Sequence, residues 1–206
     1  MRWSDRMGLW RRAFGRGVFP HQMTWFLDLP GRGLILSART VAGRLPLTPD
    51  AQVLEVGPGS GFFSVEVARR VPDGALTLLD VQPEMLAKCR ARLSAAGFDD
   101  VTTVPTDGRS MPFADETFDV VYLVTVFGEI EDQDGFLREA ARVLRPGGVL
   151  SITEHHPDPD FEPAAEVAEK VRRYGLVPGQ PIGWRWAYTL HATKLAPDPA
   201  AGAPGR

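Results

Sequence analysis

The stretch "VLEVGPGSGFF", residues 53–63, decides the fold. An apolar run leads into three glycines, Gly57, Gly59 and Gly61, and helix-forming sequence follows. Glycines at this spacing mark a backbone that turns through positive φ or lies flat against another group, since a Cβ would oppose both. Strand, glycine turn and helix in that order open an α/β unit that carries a ligand at the turn.

Outward from this point, short apolar runs alternate with helical stretches. Strands are predicted over 51–56, 75–80, 101–105, 118–125, 149–154 and 184–194. Helices are predicted over 64–71, from Pro83 to Gly97, over 134–144 and from about Pro163 to Tyr174. "FDVVYLVT" (118–125) is the most apolar strand, as expected at the centre of a parallel sheet covered on both faces. The expected fold is α/β and doubly wound, a mostly parallel seven-stranded sheet with helices on both faces and an N-terminal helical extension. Residues 1–47 read as that extension, 48–195 as the ligand-binding domain and 196–206 as a disordered tail rich in Ala, Pro and Gly.

Composition narrows the function. The chain has 206 residues, 44% of them hydrophobic and 24% charged, ordinary for a domain with a real core. A net charge of −3 argues against a nucleic-acid partner, whose binding domain is usually strongly basic. One cysteine, Cys89, excludes an internal disulfide, and its place on an apolar helical stripe points to packing. No apolar run reaches membrane-span length and no secretory signal is visible, so the chain reads as a cytoplasmic protein.

The glycine spacing separates two ligand classes. A dinucleotide fingerprint would place its third glycine at position 62, where this chain has Phe62; here the third glycine comes one residue early. Glu55 just before the turn would repel a pyrophosphate and suit an ammonium group. On these residues the chain resembles the class I S-adenosylmethionine-dependent methyltransferases, whose first motif "VLEVGPGSG" matches. Three more segments follow in order: "LLDVQPEML", "VPTDGRSMPFADETFDVV" and "LREAARVLRPGGVLSITE". The resemblance covers residues 50–154 and implies S-adenosyl-L-methionine as cofactor. It implies a cofactor site of Glu55, Gly57, Gly59 and Gly61, with Asp80 on the ribose hydroxyls and Val81 and Met85 near the adenine. Thr106, Asp107 and Gly108 would hold the adenine edge, and Thr125 at the end of the fourth strand completes the set. Two ordinary readings stay open beside these: Asp107 as a turn residue and Asp80 as a helix cap.

The acceptor side is less defined. Many relatives carry a histidine after the fourth strand, whereas this chain has Glu129. "EHHPDPDFEP" after the fifth strand brings Glu154, His155, His156, Asp158 and Asp160 together. Glu129, Glu154 and His155 are the candidate catalytic residues; neighbours on one loop rarely form a metal ligand set, so no metal is expected. His21 and His191 read as surface or packing residues. Trp3, Met7, Trp10 and Phe14 fall on one helical face with Arg2, Arg6, Arg11, Arg12 and Arg16 nearby. This predicts a cover over the acceptor pocket, with peripheral contact to an anionic membrane as the second reading. The expected reaction is methyl transfer to a small-molecule acceptor, with a membrane lipid or quinone-like acceptor as the alternative. An NAD-type oxidoreductase and a catalytically silent cofactor-binding module are the rivals from other classes.

Overall fold

The computed structural model describes residues 37–156 and 158–196. His21, the aromatic stripe from Trp3 to Phe14, the adjoining Trp25 and Phe26 and the expected tail lie outside the described residues, apart from Ala196, the tail's first. The chain order is α1 (Ala38–Arg44), β1 (Gln52–Val56), α2 (Ser64–Ala68), β2 (Ala75–Asp80), α3 (Pro83–Ala95), β3 (Thr102–Pro105) and β4 (Phe118–Val124). A short 3-10 helix (Phe127–Glu129) follows, then α4 (Gln133–Val143), β5 (Leu144–His155), α5 (Ala164–Arg172), β6 (Leu176–Pro178), β7 (Ile182–Trp184) and β8 (Ala187–Lys194).

Seven strands run side by side in the order β3-β2-β1-β4-β5-β8-β6, and β7 pairs with β8 off that path. Strands β1 to β5 are parallel, while β8 and its partners β6 and β7 are antiparallel additions. The chain leaves β1 toward β2 and β3, then returns to lay β4 on the other side of β1. That reversal opens a crevice beyond the carboxyl ends of β1 and β4, where sheets of this type bind ligands.

Period-2 strands deal their side chains to two faces. On one face Leu54, Val56, Val121, Leu123, Leu150 and Ile152 pack under α4 and α5, through Phe136, Leu137, Ala140, Val143, Val167 and Val171. On the other, Val53, Leu78, Val120 and Val124 pack under α1, α2 and α3. Helix α1 falls within the stretch 1–47 read as an extension, yet Val41 and Ala42 belong to this core. Cys89 is fully buried there, and burial pushes its thiol up to about 12, so it is an inert packing residue.

Two elements differ from expectation. Helix α2 ends at Ala68 rather than 71, although Val71 is still buried. The expected strand 184–194 is a hairpin: Trp184 closes β7, Arg185 and Trp186 form the turn, and β8 starts at Ala187. Gly183, at φ 116°, shapes β7, and no alternation of burial runs through the two tryptophans, which are 80% and 54% exposed.

One side chain organises the long connection from β3 to β4. Arg142, in the last turn of α4, donates to the carbonyls of Met111 and Phe113 (2.9 and 2.8 Å) and to the carboxylates of Glu139 and Asp115 (2.8 and 2.7 Å). Glu139 in turn accepts from the Met111 N–H at 2.8 Å. Arg142→Ala is expected to lower stability by about 2 kcal/mol, the scale of lost charge-assisted hydrogen bonds. Hydrogen exchange should accelerate at residues 111–117 and stay unchanged in β1; uniform exchange would deny the clamp.

Candidate functional site

The glycine turn leaves β1 with Gly57, Gly59 and Gly61 at φ 66°, 55° and 82°, all in the left-handed region. A Cβ on Gly57 would stand 2.6 Å from Val126 Cγ2, and one on Gly61 2.9 Å from Cys89 Sγ. The turn is therefore pressed between the exit of β4 and helix α3, and glycine is the residue that fits. The Gly57 N–H donates to the Leu79 carbonyl at 2.8 Å, tying the turn to β2 one residue before Asp80.

Asp80 ends β2 beside the turn, 7% exposed, with Oδ1 accepting the Gln82 N–H at 2.9 Å. Burial raises its pKa, and the Gln82 and Val81 N–H groups oppose the rise. The N-cap of α3 is Gln82, so Asp80 sits upstream of the capping position. Val81 beside it is 44% exposed and offers an apolar surface at the crevice. Met85, by contrast, is 3% exposed.

Glu55 lies one strand away on the same face of the sheet as Asp80, near enough for the two carboxyls to act on each other. It is 2% exposed on the face covered by α2 and α3, beneath the turn, where burial pushes its pKa up to about 7. Ser64 hydrogen-bonds the carboxyl, and the Tyr122 hydroxyl lies close enough to restrain the rise without reaching hydrogen-bond geometry; Oε2 has no partner.

At the third strand the Thr106 N–H donates to the Asp80 carbonyl, and Gly108 has φ 77°. Asp107 is a surface residue ion-paired with Arg109 at 2.7 Å; its carboxylate is held low by the Arg109 backbone N–H and side chain. Across the crevice Thr125 takes φ 54°, a strained conformation for a β-branched residue, and its N–H donates to Thr153 at 2.8 Å.

The acceptor-side candidates meet beyond β4 and β5. Glu154 is 1% exposed and accepts the Phe127 N–H, while Oε1 lacks a partner. Burial, reinforced by Asp158, Glu162 and Glu129, pushes its pKa up to about 9, so at neutral pH it keeps its proton. The following loop rests on the 3-10 helix so closely that a Cβ on Gly128 would collide with the Asp160 carbonyl. Glu162 is gripped by Lys170 (2.6 Å) and Gln133 (2.7 Å), and its carbonyl accepts from Tyr188 at 2.7 Å. Half-buried Glu129 lies on the 3-10 helix, and His155 Nδ1 meets the His156 carbonyl at 2.9 Å. His156 stacks on Phe161 (4.2 Å) and meets Trp186 edge-on (5.7 Å). Sequence reasoning missed Arg142, Gln133 and Lys170, which sit on helix faces and carry no motif. Among the described residues, no group of three His, Cys, Asp or Glu side chains is placed to hold a metal.

A sheet with a three-glycine turn at its switch point, an acid ending the next strand and an antiparallel β8 defines a doubly wound α/β protein of the class that binds ligands at that point. Residues 54–152 match the family described as Methyltransferase domain. The phosphatidylethanolamine N-methyltransferase of Cereibacter sphaeroides is 31% identical over 149 residues, 72% of this chain and 68% of that protein. The demethylmenaquinone methyltransferase of Tropheryma whipplei is 38% identical over 120 residues, 58% of this chain and 48% of that protein. The chain spans about half the length of several curated relatives it matches. In fold it is similar to a SAM dependent methyltransferase from Aquifex aeolicus, with a TM-score of 0.80 and 23% identity over 86% of this chain and 100% of the other. The chain belongs to the class I S-adenosylmethionine-dependent methyltransferases. The family implies S-adenosylmethionine as cofactor, and the positive-φ turn, the acid of β2 and exposed Val81 fit a nucleoside rather than a pyrophosphate.

The raised pKa of Glu154 makes stability depend on pH. Its folded pKa lies above the unfolded one, so the native state binds the extra proton between about 4.5 and about 9. Stability therefore falls as pH rises through that window, by up to about 1.4 kcal/mol per pH unit. Glu154→Gln should match wild type near pH 5 and unfold at a higher temperature near pH 9, leaving the decline due to Glu55 between about 4.5 and about 7. Thermal unfolding across pH checks this; parallel wild-type and variant curves would refute it.

Proposed function

We propose that this chain transfers a methyl group from S-adenosylmethionine to a small-molecule acceptor. The observation that carries the reading is the glycine turn, held at positive φ against β4 and hydrogen-bonded to the strand that ends in Asp80. When bound, the cofactor supplies a methyl already activated on a cationic sulfonium, ready for in-line displacement by the acceptor. Gly57, Gly59 and Gly61 let the backbone approach it. Asp80 accepts from the ribose hydroxyls and Val81 backs the adenine, with Met85 packed underneath. Thr106, Asp107 and Gly108 border the adenine edge, for which Asp107 exchanges Arg109. Glu55 acts from beneath, positioning the turn, and strained Thr125 closes the crevice from β4.

The protein's remaining task is to align the acceptor and exclude water. Protonated Glu154 serves as a hydrogen-bond donor rather than a base at neutral pH, which leaves Glu129 and His155 to accept a proton where the acceptor carries one. A lipid or quinone-like acceptor is the reading favoured by a specific observation. Exposed Trp184, Trp186 and Ile182 form an apolar rim on the β7–β8 hairpin beside His156. Two relatives are named for such acceptors, demethylmenaquinone and phosphatidylethanolamine. Among the described residues, no helix is long and apolar enough to cross a membrane.

Calorimetry with S-adenosylmethionine and NAD tests the assignment: the former is expected to bind and the latter not, and the reverse would overturn it. Asp80→Ala should weaken cofactor binding roughly tenfold to a hundredfold, the equivalent of about 1.5 to 3 kcal/mol. Turnover with a panel of quinol, phenol and amine acceptors separates an enzyme from a silent binding module.

Residues 1–16 are proposed to cover the acceptor side. Their deletion should reduce methyl transfer while leaving cofactor affinity nearly unchanged, since Asp80 and the glycine turn lie far along the chain. Full activity with a soluble acceptor, joined to loss of sedimentation with anionic vesicles, would establish the membrane reading instead.

A further inference from the structure

Four strands, β1, β4, β5 and β8, carry one row of polar side chains across the sheet. Their register pairs Glu55 with Tyr122, Tyr122 with Ser151 and Ser151 with His191. Strand alternation sends all four to the α1–α3 face. Glu55, Tyr122 and Ser151 are at most 2% exposed, and each of the four residues has a fully buried polar atom without a partner: Oε2, Oη, Oγ and Nδ1. Glu154 on the acceptor side has the one other such atom among the described residues. The rows on the opposite face of the same strands are apolar throughout: Leu54, Val121, Leu150 and Ala192, then Val56, Leu123, Ile152 and Leu190.

Buried polar atoms are nearly always paired, with protein or with ordered water. Four unpaired atoms side by side would erode a large part of a domain's stability. The Tyr122 hydroxyl lies beside the Glu55 carboxyl, and Ser151 and His191 stand opposite each other on strands about 4.8 Å apart. The chemistry of the row suits bridging by water. His191 Nε2 is 3.0 Å from the Arg44 carbonyl, which can only accept, so Nε2 carries the hydrogen and Nδ1 offers a lone pair. Burial also lowers the His191 pKa, keeping the ring neutral. Ser151 and Tyr122 can each donate and accept, and Glu55 can do either according to its protonation.

We propose that this row is a site for bound water: a file of water molecules joins Glu55 Oε2, Tyr122 Oη, Ser151 Oγ and His191 Nδ1. The file links the floor of the glycine turn to the margin of the sheet under α1. Glu55 is also faced by Ser64 of α2, Cys89 of α3 and Asp80 of β2, and His191 by Arg44 of α1.

A crystal structure of the full chain, at a resolution that shows ordered water, is the direct test. Water within hydrogen-bond distance of Ser151 Oγ and His191 Nδ1 is expected; a dry row overturns the proposal. Ser151→Ala gives an independent sign. In a hydrated row it removes a water partner and lowers Tm by about 2 to 4 °C, whereas in a dry row it deletes an unpaired hydroxyl and raises Tm. Carboxyl NMR supplies the third reading. Ser151→Val, which plugs the row with methyl groups, should move the Glu55 midpoint upward from wild type, and an unmoved midpoint counts against a hydrated carboxyl. Neither variant touches the crevice, so cofactor affinity near pH 5 serves as the control for an intact fold.

Discussion

The close approach of Gly57 to Val126 is the contact on which the rest of the site depends. A side chain at position 57 would overlap Val126, so the exits of β1 and β4 can lie this close only with glycine there. The same contact accompanies the strain in Thr125, held at φ 54° by its bond to Thr153 on β5. A conformation of that kind costs about 1 to 3 kcal/mol and persists where the surroundings over-determine it. The Gly57 N–H reaches Leu79 on the other side, so one residue couples the ends of β1, β2 and β4. Asp80 and Thr125 owe their positions to that coupling.

The two faces of the sheet do different work. The face under α4 and α5 is apolar and closely filled, and most of the driving force for folding comes from burying it. The face under α1 to α3 also carries an apolar cluster, but one polar row crosses it, where Glu55, Tyr122, Ser151 and His191 follow one another. Thr153 and Thr189 bond to each other one row further on, at 2.9 Å, and Arg44 adds a bond to Thr189 at 3.0 Å. An unpaired buried group costs about 1 to 3 kcal/mol against a whole-domain stability of about 5 to 15. A sequence selected for stability alone would place valine or leucine there, as it does on the opposite face. Polar residues at these positions therefore mark a constraint other than packing.

How much of this was legible in the sequence follows from the range of each interaction. The glycine turn, the acid ending β2 and the Pro83 start of α3 depend on neighbours within a few residues, and sequence reads them directly. The direction of Glu55 is also local in principle: it shares a face with Val53, and alternation alone places it beneath the turn. Met85 and Asp107 needed more, since burial of one and the pairing of the other with Arg109 depend on packing. The polar row is invisible in any single strand. Ser151 and His191 look like isolated polar residues until the antiparallel register of β5 and β8 sets them side by side. Arg142 is likewise one arginine among many until α4 is laid against the 111–115 segment. The β7–β8 hairpin was missed for a different reason: alternation of residue type in "WRWAYTLHATK" mimics one strand, while Gly183 and the exposed tip divide it.

The same distinction explains why the cofactor half of the site is better defined than the acceptor half. A nucleoside is recognised largely by backbone, and backbone demands leave glycines and a few acids at fixed spacing. An acceptor is recognised by side chains from loops, and those proposed for it, the 3-10 helix, the segment after β5 and the β7–β8 tip, have sequences that obey no spacing rule. What orders those loops is electrostatic and steric: Asp160 closing on Gly128, Glu162 held by Lys170 and Gln133, and His156 seated on Phe161. Within that frame Glu154 is a costly group to bury. Its carboxyl is buried among acids, one oxygen unpartnered, and it stays neutral only because ionisation there would be more costly still. A leucine of similar reach would avoid that cost but would leave the Phe127 N–H without its acceptor, so the buried carboxyl fastens the 3-10 helix to the end of β5.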